Sequence, residues 1–109
     1  MTSPRTLRSR VVYRNPWTAV REDTFVGADG REGIYGVVEK PDFAVVLPIA
    51  DGHIHLVEQY RYPARARFWE VPQGGADPGD SGDLLAVARR ELAEETGLVA
   101  ATWRRLGTL

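Results

Sequence analysis

The sequence predicts a protein of the α+β class, in which several short β-strands precede a single α-helix. Strand-like apolar runs, separated by turn signals that contain Gly, Pro or Asn, occupy most of the chain. One longer segment, residues 84–96, has the apolar spacing and the flanking residues of a helix. The 109 residues suffice for one domain. We therefore expect a single domain over 1–109, with 10–39 as an N-terminal hairpin subdomain and 40–109 as the core.

The strands are predicted from the turns that separate them. After a frayed start over residues 1–8, Asp29-Gly30 is typical of a hairpin turn and predicts an antiparallel hairpin over about 10–39. Residues 43–49 form a continuous apolar run, typical of a strand buried on both faces. Further strands are expected over the remaining apolar runs, at 53–60, 68–71 and 98–106.

The helix is predicted from its two ends and from one apolar stripe. Asp83 is a suitable N-cap, and Gly97 is a suitable residue to end the helix in a left-handed conformation. On a helical wheel the stripe that faces the core is expected to contain Leu85, Ala88 and Leu92.

Three acidic side chains share one face of this helix, beside the apolar stripe: Glu91, Glu94 and Glu95. A divalent cation among them would relieve their mutual repulsion, and hard oxygen ligands favour Mg²⁺ or Mn²⁺. The alternative is a solvated acidic face with arginines nearby. The glycine-rich segment that precedes the helix favours the first interpretation, because Gly74 and Gly75 allow a ligand to approach the backbone closely. A phosphate-binding loop beside a metal-binding face indicates pyrophosphoryl chemistry.

Composition excludes several other classes. The chain is 43% hydrophobic and 27% charged, which excludes wholesale disorder and fibrous repeats. A formal charge of −1 argues against a nucleic-acid partner bound through bulk charge. Cysteine is absent, so disulfides, cysteine-ligated zinc and thiol catalysis are excluded. No apolar run is long enough for a membrane span, and secretory signal features are missing. We expect a cytoplasmic protein without a membrane partner.

Residues 90–98, Arg-Glu-Leu-Ala-Glu-Glu-Thr-Gly-Leu, resemble the second half of the Nudix box, Gly-x5-Glu-x7-Arg-Glu-U-x-Glu-Glu-x-Gly-U with U apolar. The first half of the box departs from this pattern. Counted from Gly74, Asp80 stands where the family has Glu, and nine residues rather than seven separate it from Arg90. Either Asp80 or Asp83 could replace the missing Glu, and Asp80→Asn is expected to affect activity less than a change of a helix acid.

Upstream segments narrow the resemblance to the ADP-ribose pyrophosphatase branch, which hydrolyses nucleoside-diphosphate sugars. They are residues 38–41, 44–48, 57–63 and 69–74, and the resemblance covers about residues 10–106. It implies a Nudix α/β/α sandwich with a mixed sheet, built here from 43–49, 53–60 and 98–106, and an N-terminal antiparallel hairpin. The C-terminal part of the fold, including a catalytic base, is expected beyond Leu109. A partner chain could instead cover the exposed sheet face. Relatives in this branch are homodimers, so a homodimer with residues 10–39 at its interface is expected.

The resemblance also implies roles for individual residues. Glu91 and Glu95 would be the main Mg²⁺ ligands, with Glu94 and the backbone carbonyl of Gln73 contributing, and Arg90 would orient the helix acids. The substrate would lie against Arg61, Glu70, Gly74 and Gly75, since a guanidinium suits a diphosphate. The alternatives are a surface ion pair for Arg61 and a strand-end salt bridge for Glu70.

The implied function is Mg²⁺-dependent hydrolysis of a nucleoside-diphosphate sugar such as ADP-ribose, which gives AMP and a sugar phosphate. Two other hypotheses stay open at this point. The same chemistry could act on NADH, a nucleoside triphosphate or a capped RNA end, or the chain could be a non-catalytic Nudix-like module that binds nucleotides.

Overall fold

The computed structural model describes residues 3–77 and 82–109, so Asp80 lies outside the described residues. The α+β class is confirmed. Two compact units, Met1–Pro41 and Asp42–Leu109, divide the chain, and the prediction of a single domain stays a prediction. In chain order the elements are β1 (Arg5–Arg14), β2 (Ala19–Val26), β3 (Glu32–Glu39), β4 (Phe43–Val45), β5 (Ile49–Ala50), β6 (His53–Ile54), β7 (Val57–Arg61), a 3₁₀ turn (Tyr62–Ala64), β8 (Ala66–Glu70), β9 (Gln73–Gly75) and α1 (Leu84–Thr96).

The first unit is a three-stranded antiparallel sheet in the order β1-β2-β3, which confirms the N-terminal antiparallel arrangement. The predicted frayed start was wrong for residues 5–8, because β1 begins at Arg5 and Arg5 pairs with Val26. Every residue of β1 is exposed, so main-chain pairing rather than a burial pattern holds this strand. Gly30 provides the left-handed residue of the β2–β3 turn, with φ of 80°.

In the second unit three antiparallel pairs form: β4 with β9, β5 with β6, and β7 with β8. Residues 43–49 were predicted as one strand buried on both faces, and this was wrong. Ala44 and Val46 are buried whereas Phe43 is 57% exposed, so burial alternates as in a one-sided strand. Pro48 has no N–H to continue a ladder, and a new short hairpin begins at Ile49.

Two further predictions about strands need correction. Residues 53–60 divide into β6 and β7, because His53 and Ile54 pair with β5 whereas residues 57–61 pair with β8. Residues 98–106 contain no strand, and every pairing among the described residues is antiparallel, so the predicted mixed sheet is not present there. Instead Leu98, Ala100 and Trp103 pack against the core.

Helix α1 begins and ends as predicted. The side chain of Asp83 accepts hydrogen bonds from the N–H groups of Leu85 (3.0 Å) and Ala86 (3.4 Å). Gly97 ends the helix with φ of 73°, and its N–H bonds to the carbonyl of Ala93 at 2.9 Å. No helix within the described ranges is long and apolar enough to cross a membrane.

The buried face of α1 differs from the predicted stripe. Val87, Ala88 and Leu92 form the core with Ala44 and Val46, whereas Leu85 is 42% exposed. Measured around the axis from Val87, Glu91 and Glu95 lie at roughly 40° and 80° and Leu92 at roughly 140°. The positions of Glu91 and Glu95 therefore fall within the inward arc, between buried residues, rather than beside it.

Candidate active site

Strand β9 directs one edge of its backbone toward helix α1. The N–H of Val46 bonds to the carbonyl of Pro72, and the N–H of Ala76 bonds to that of Asp42, both at 2.9 Å. Hydrogen-bonded pairs alternate along an antiparallel ladder, so Gln73 and Gly75 direct their N–H and C=O groups away from β4. The contacts that Gln73 and Gly75 make with helix α1 agree with this direction.

Both outward-facing residues of β9 contact side chains of α1. The N–H of Gln73 donates to Oε2 of Glu95 at 3.3 Å. The carbonyl of Gly75 accepts from Nη2 of Arg90 at 3.2 Å. A helix and a short strand are thus joined by backbone–side-chain bonds at the place where the Nudix-like residues occur.

Between these two contacts the carboxylate of Glu91 lies over Gly74. A Cβ atom placed on Gly74 would be 2.1 Å from Cδ of Glu91, whereas one placed on Gly75 would meet its nearest atom, the carbonyl oxygen of Asp42, at 3.8 Å. Only the first of these glycines is therefore required by a close approach. The Glu91 side chain is 14% exposed.

The surroundings of Glu91 disfavour the charged form of its carboxyl group. Burial raises the pKa of its carboxyl, and the charges of Glu94 and Glu95 raise it further. Arg90 acts in the opposite direction, with Nη2 3.7 Å from Oε1 of Glu91. The same guanidinium lies 3.6 Å from Oδ2 of Asp77 and 3.9 Å from Oε1 of Glu94, so its charge is shared among several acids.

The other two helix acids differ from each other. Glu95 is partly buried, and its Oε1 accepts a hydrogen bond from Nε2 of Gln59 on β7 at 3.3 Å. The Glu94 side chain is 61% exposed and lies at the rim. The structure therefore brings Glu91 and Glu95 to β9 and leaves Glu94 outside. Within the described part of the chain, no group of three or more His, Cys, Asp or Glu side chains converges on one point.

Arg61 and Glu70 bind each other across the β7–β8 hairpin. Nε of Arg61 lies 2.8 Å and 3.0 Å from the two carboxylate oxygens of Glu70, and Nη2 also contacts Oε2. This fork lowers the pKa of the Glu70 carboxyl. The surface ion pair considered for Arg61 and the salt bridge considered for Glu70 are thus one contact. Their role toward a substrate stays a prediction.

Gln73 links this ion pair to the helix. Its Nε2 donates to Oε2 of Glu70 at 3.2 Å, while its N–H donates to Glu95. Gln59 and the side chain of Gln73 were not predicted as site residues. A signal for Gln59 was available, since it lies two positions before Arg61 and so shares that face of a strand.

The residues present fit a divalent cation. The carboxylates of Glu91 and Glu95 and the outward-facing carbonyl of Gln73 are hard oxygen donors, which Mg²⁺ and Mn²⁺ prefer. A positive ion beside Glu91 would offset the repulsion that raises its pKa. Glu94, at the rim, is placed to contribute less.

Comparison with known families decides the assignment. The NUDIX domain matches residues 39–109, which is more than half of the chain. The chain belongs to the Nudix family. The nucleoside diphosphate sugar hydrolase N-terminal domain matches residues 5–38, the segment that forms the three-stranded sheet of this Nudix protein.

Individual relatives agree with the family but differ in their named activities. An ADP-ribose pyrophosphatase of Mycobacterium tuberculosis is 34% identical over 102 residues, 93% of this chain and 49% of that protein. An RNA pyrophosphohydrolase of Caulobacter vibrioides is 46% identical over 61 residues, 56% of this chain and 34% of that protein. A solved structure titled as an ADP compounds hydrolase superposes with a TM-score of 0.78 at 26% identity, and the match covers 94% of this chain and 55% of the other. The Nudix chain thus spans about a third to a half of these relatives.

Proposed function

We propose that this Nudix chain belongs to a Mg²⁺-dependent pyrophosphohydrolase that cleaves the diphosphate of a nucleoside-diphosphate sugar such as ADP-ribose. The products would be AMP and a sugar phosphate. One observation carries the proposal: the carboxylates of Glu91 and Glu95 lie on the outer edge of β9, and Gln73 of that strand also contacts the Arg61–Glu70 pair. Gln73 thereby links the acids that would bind the metal with the Arg61–Glu70 pair, whose guanidinium would bind phosphate.

The residues have distinct tasks in this proposal. Glu91, Glu95 and the Gln73 carbonyl would hold the cation, which when bound neutralises a diphosphate and makes a nearby water more acidic. Arg61 would bind a phosphate oxygen through Nη1 of its guanidinium, because Nε and Nη2 contact Glu70. Arg90 would keep the helix acids oriented through its bond to the Gly75 carbonyl. Gly75 would leave the backbone open to the substrate, whereas Gly74 makes room for the Glu91 carboxylate.

The N-terminal match supports a nucleotide-sugar substrate, because the family matched by residues 5–38 is named for nucleoside diphosphate sugar hydrolases. The test is a panel of ADP-ribose and other nucleotide sugars, incubated with Mg²⁺ and the protein at its full natural length and analysed for nucleoside monophosphate. Release of AMP that EDTA abolishes and that Glu91→Gln lacks is the expected result. A protein of full natural length that binds ADP-ribose yet releases no AMP would support the non-catalytic nucleotide-binding module instead.

A second candidate substrate is the 5′ end of an RNA. It is favoured by the 46% identity over 61 residues to the RNA pyrophosphohydrolase of Caulobacter vibrioides. Adding a 5′-triphosphorylated oligonucleotide to the same panel separates the two. Faster release of pyrophosphate from the RNA than of AMP from ADP-ribose would favour the second candidate.

We also propose that the protein is a cytoplasmic homodimer with the N-terminal sheet at its interface. Tyr13, Ile34 and Val38 are 56%, 70% and 61% exposed. The sheet register places all three on one face, where they offer apolar side chains to an interface. Light scattering tests the dimer, and Val38→Glu is expected to give monomers that keep the secondary structure of the wild type.

A further inference from the structure

The carboxylate of Glu95 is held by two donors that come from two different strands. Oε2 accepts from the backbone N–H of Gln73 on β9, and Oε1 accepts from the side-chain amide of Gln59 on β7, each at 3.3 Å. A carboxylate with one donor on each oxygen has its plane fixed, whereas one bond alone allows rotation about it. Glu91, in contrast, is confined by the close approach to Gly74.

Strand β7 places this amide beside the predicted phosphate-binding group. Val57, Gln59 and Arg61 are partly buried and alternate with exposed Glu58 and Tyr60. Gln59 and Arg61 therefore share one face, where the first contacts Glu95 and the second contacts Glu70. One short strand thus fixes the orientation of both an acid and a guanidinium at the site.

We infer that Gln59 is a positioning residue, whose amide orients the Glu95 carboxylate for a divalent cation. The inference rests on the proposed function, since it assumes that Glu95 binds the metal. It requires no contact between Gln59 and the substrate. Groups that hydrogen-bond to metal-ligating carboxylates commonly change metal affinity or activity by about 10- to 100-fold when they are replaced.

The test is a titration of the chain with Mn²⁺ alone, followed by the electron paramagnetic resonance of the free ion. Gln59→Met keeps the length of the side chain and removes the donor, and it is expected to weaken Mn²⁺ binding about 10-fold. Glu58→Gln is the matched control, because Glu58 lies on the opposite face of β7, where it pairs with Arg67. Unchanged binding in this control is expected.

A double variant shows whether Gln59 acts through Glu95. In a Glu95→Gln background, Gln59→Met is expected to change Mn²⁺ binding by less than about twofold, because the two changes remove one coupled interaction. With ADP-ribose, Gln59→Met should raise the Mg²⁺ concentration for half-maximal rate while the KM at saturating Mg²⁺ stays the same. Wild-type Mn²⁺ affinity in Gln59→Met, or an equal loss in both backgrounds, would overturn the inference.

Two further measurements keep the outcomes separate. Circular dichroism verifies that each variant is folded, and Gln59→Leu, which also lacks the donor, replaces Gln59→Met where the latter is not, with the same loss expected. If Glu95→Gln itself leaves Mn²⁺ binding intact, the proposed metal site is wrong. If Glu95→Gln weakens binding and folded Gln59 variants do not, only the positioning role is wrong.

Discussion

The carboxylate of Glu91 fills the space in which a side chain on Gly74 would begin, with Cδ 2.1 Å from the position of a Cβ atom. The β9–α1 connection separates the two residues along the chain, and each restricts which side chain fits at the position of the other. Glycine is required at position 74 because of a neighbour and not because of a turn, since Gly74 is not among the residues with positive φ.

The first prediction is that Gly74→Ala displaces the Glu91 carboxylate while the backbone of β9 stays in place. The backbone conformation suits alanine, and the atom in its way is the movable end of a side chain. We expect Mn²⁺ affinity and Mg²⁺-dependent hydrolysis to fall about 10-fold or more, as for other displaced metal ligands. Gly36→Ala is the control, because a Cβ there would meet no atom within 4 Å. Wild-type metal affinity in Gly74→Ala would show that Glu91 does not bind the metal.

The second prediction separates the helix acids. Glu91→Gln and Glu95→Gln should abolish metal-dependent turnover, whereas Glu94→Gln should reduce it much less, because the Glu94 side chain is 61% exposed at the rim. Glu91→Gln also removes the repulsion between Glu91 and its acidic neighbours, so the free energy of unfolding should rise by about a few tenths of a kcal/mol. Steady-state rates and urea unfolding measure both effects. Equal losses for all three variants would contradict the distinction between inner and rim positions.

Helix α1 could be predicted from sequence because its determinants are local. Asp83 and Gly97 act on backbone groups within four residues of themselves, and both act as expected. Which face of α1 is buried could not be predicted so well. Whether Leu85 or Val87 enters the core depends on Ala44 and Val46, which lie about forty positions earlier in the chain.

The strands show the same limit more strongly. An apolar run such as residues 43–49 predicts extended structure but not its partner, and here β4 pairs with β9 rather than with the nearest strand. The acids of the site were found from their spacing on one helix. Gln59 was not found, because its partner Glu95 lies 36 residues away along the chain and only the fold brings the two together. The Gln73 side chain was not found either, because only the backbone carbonyl of Gln73 was assigned a role.

A third prediction concerns the Arg61–Glu70 pair. Arg61→Lys keeps the charge and loses the fork, so the KM for ADP-ribose should rise about 10-fold, with a change in unfolding free energy below about 1 kcal/mol. Glu70→Gln should raise the KM as well, and the double variant should be no worse than the worse single one if the pair acts as a unit. Arg67→Lys is the matched control, since Arg67 pairs with Glu58 on the opposite face of the same hairpin. An equal KM effect in this control would contradict a specific role for Arg61.

The fourth prediction is an acid-dependent loss of stability in the N-terminal sheet. Hydrogen bonds from Arg21 and, to a smaller extent, Ser9 hold the pKa of the Asp23 carboxyl below its ordinary value of 3.8. The stabilisation is therefore complete above the unfolded pKa and is lost as the pH falls through the lower folded pKa. Asp23→Asn should lower stability at pH 7 and flatten its decline below about pH 4. Urea unfolding monitored by far-ultraviolet circular dichroism measures this, with Glu32→Gln, an exposed change in the same sheet, as the control.

Alternate residues of β9 in this Nudix chain direct their backbone groups toward β4 and toward helix α1, so the number of residues in this strand decides which groups face the helix. A single residue inserted between Pro72 and Gln73 would turn the outward-facing groups toward β4 and present those of the neighbouring residue to the helix. Chain length between Ala76 and Asp83 is under no such restriction. Ala76 is bonded to Asp42, and Asp83 caps the helix, so both ends are anchored independently. Counted from Gly74, the two residues by which this chain exceeds the usual Nudix box lie between Asp80 and Arg90, so they precede the three helix acids and leave the spacing of those acids unchanged.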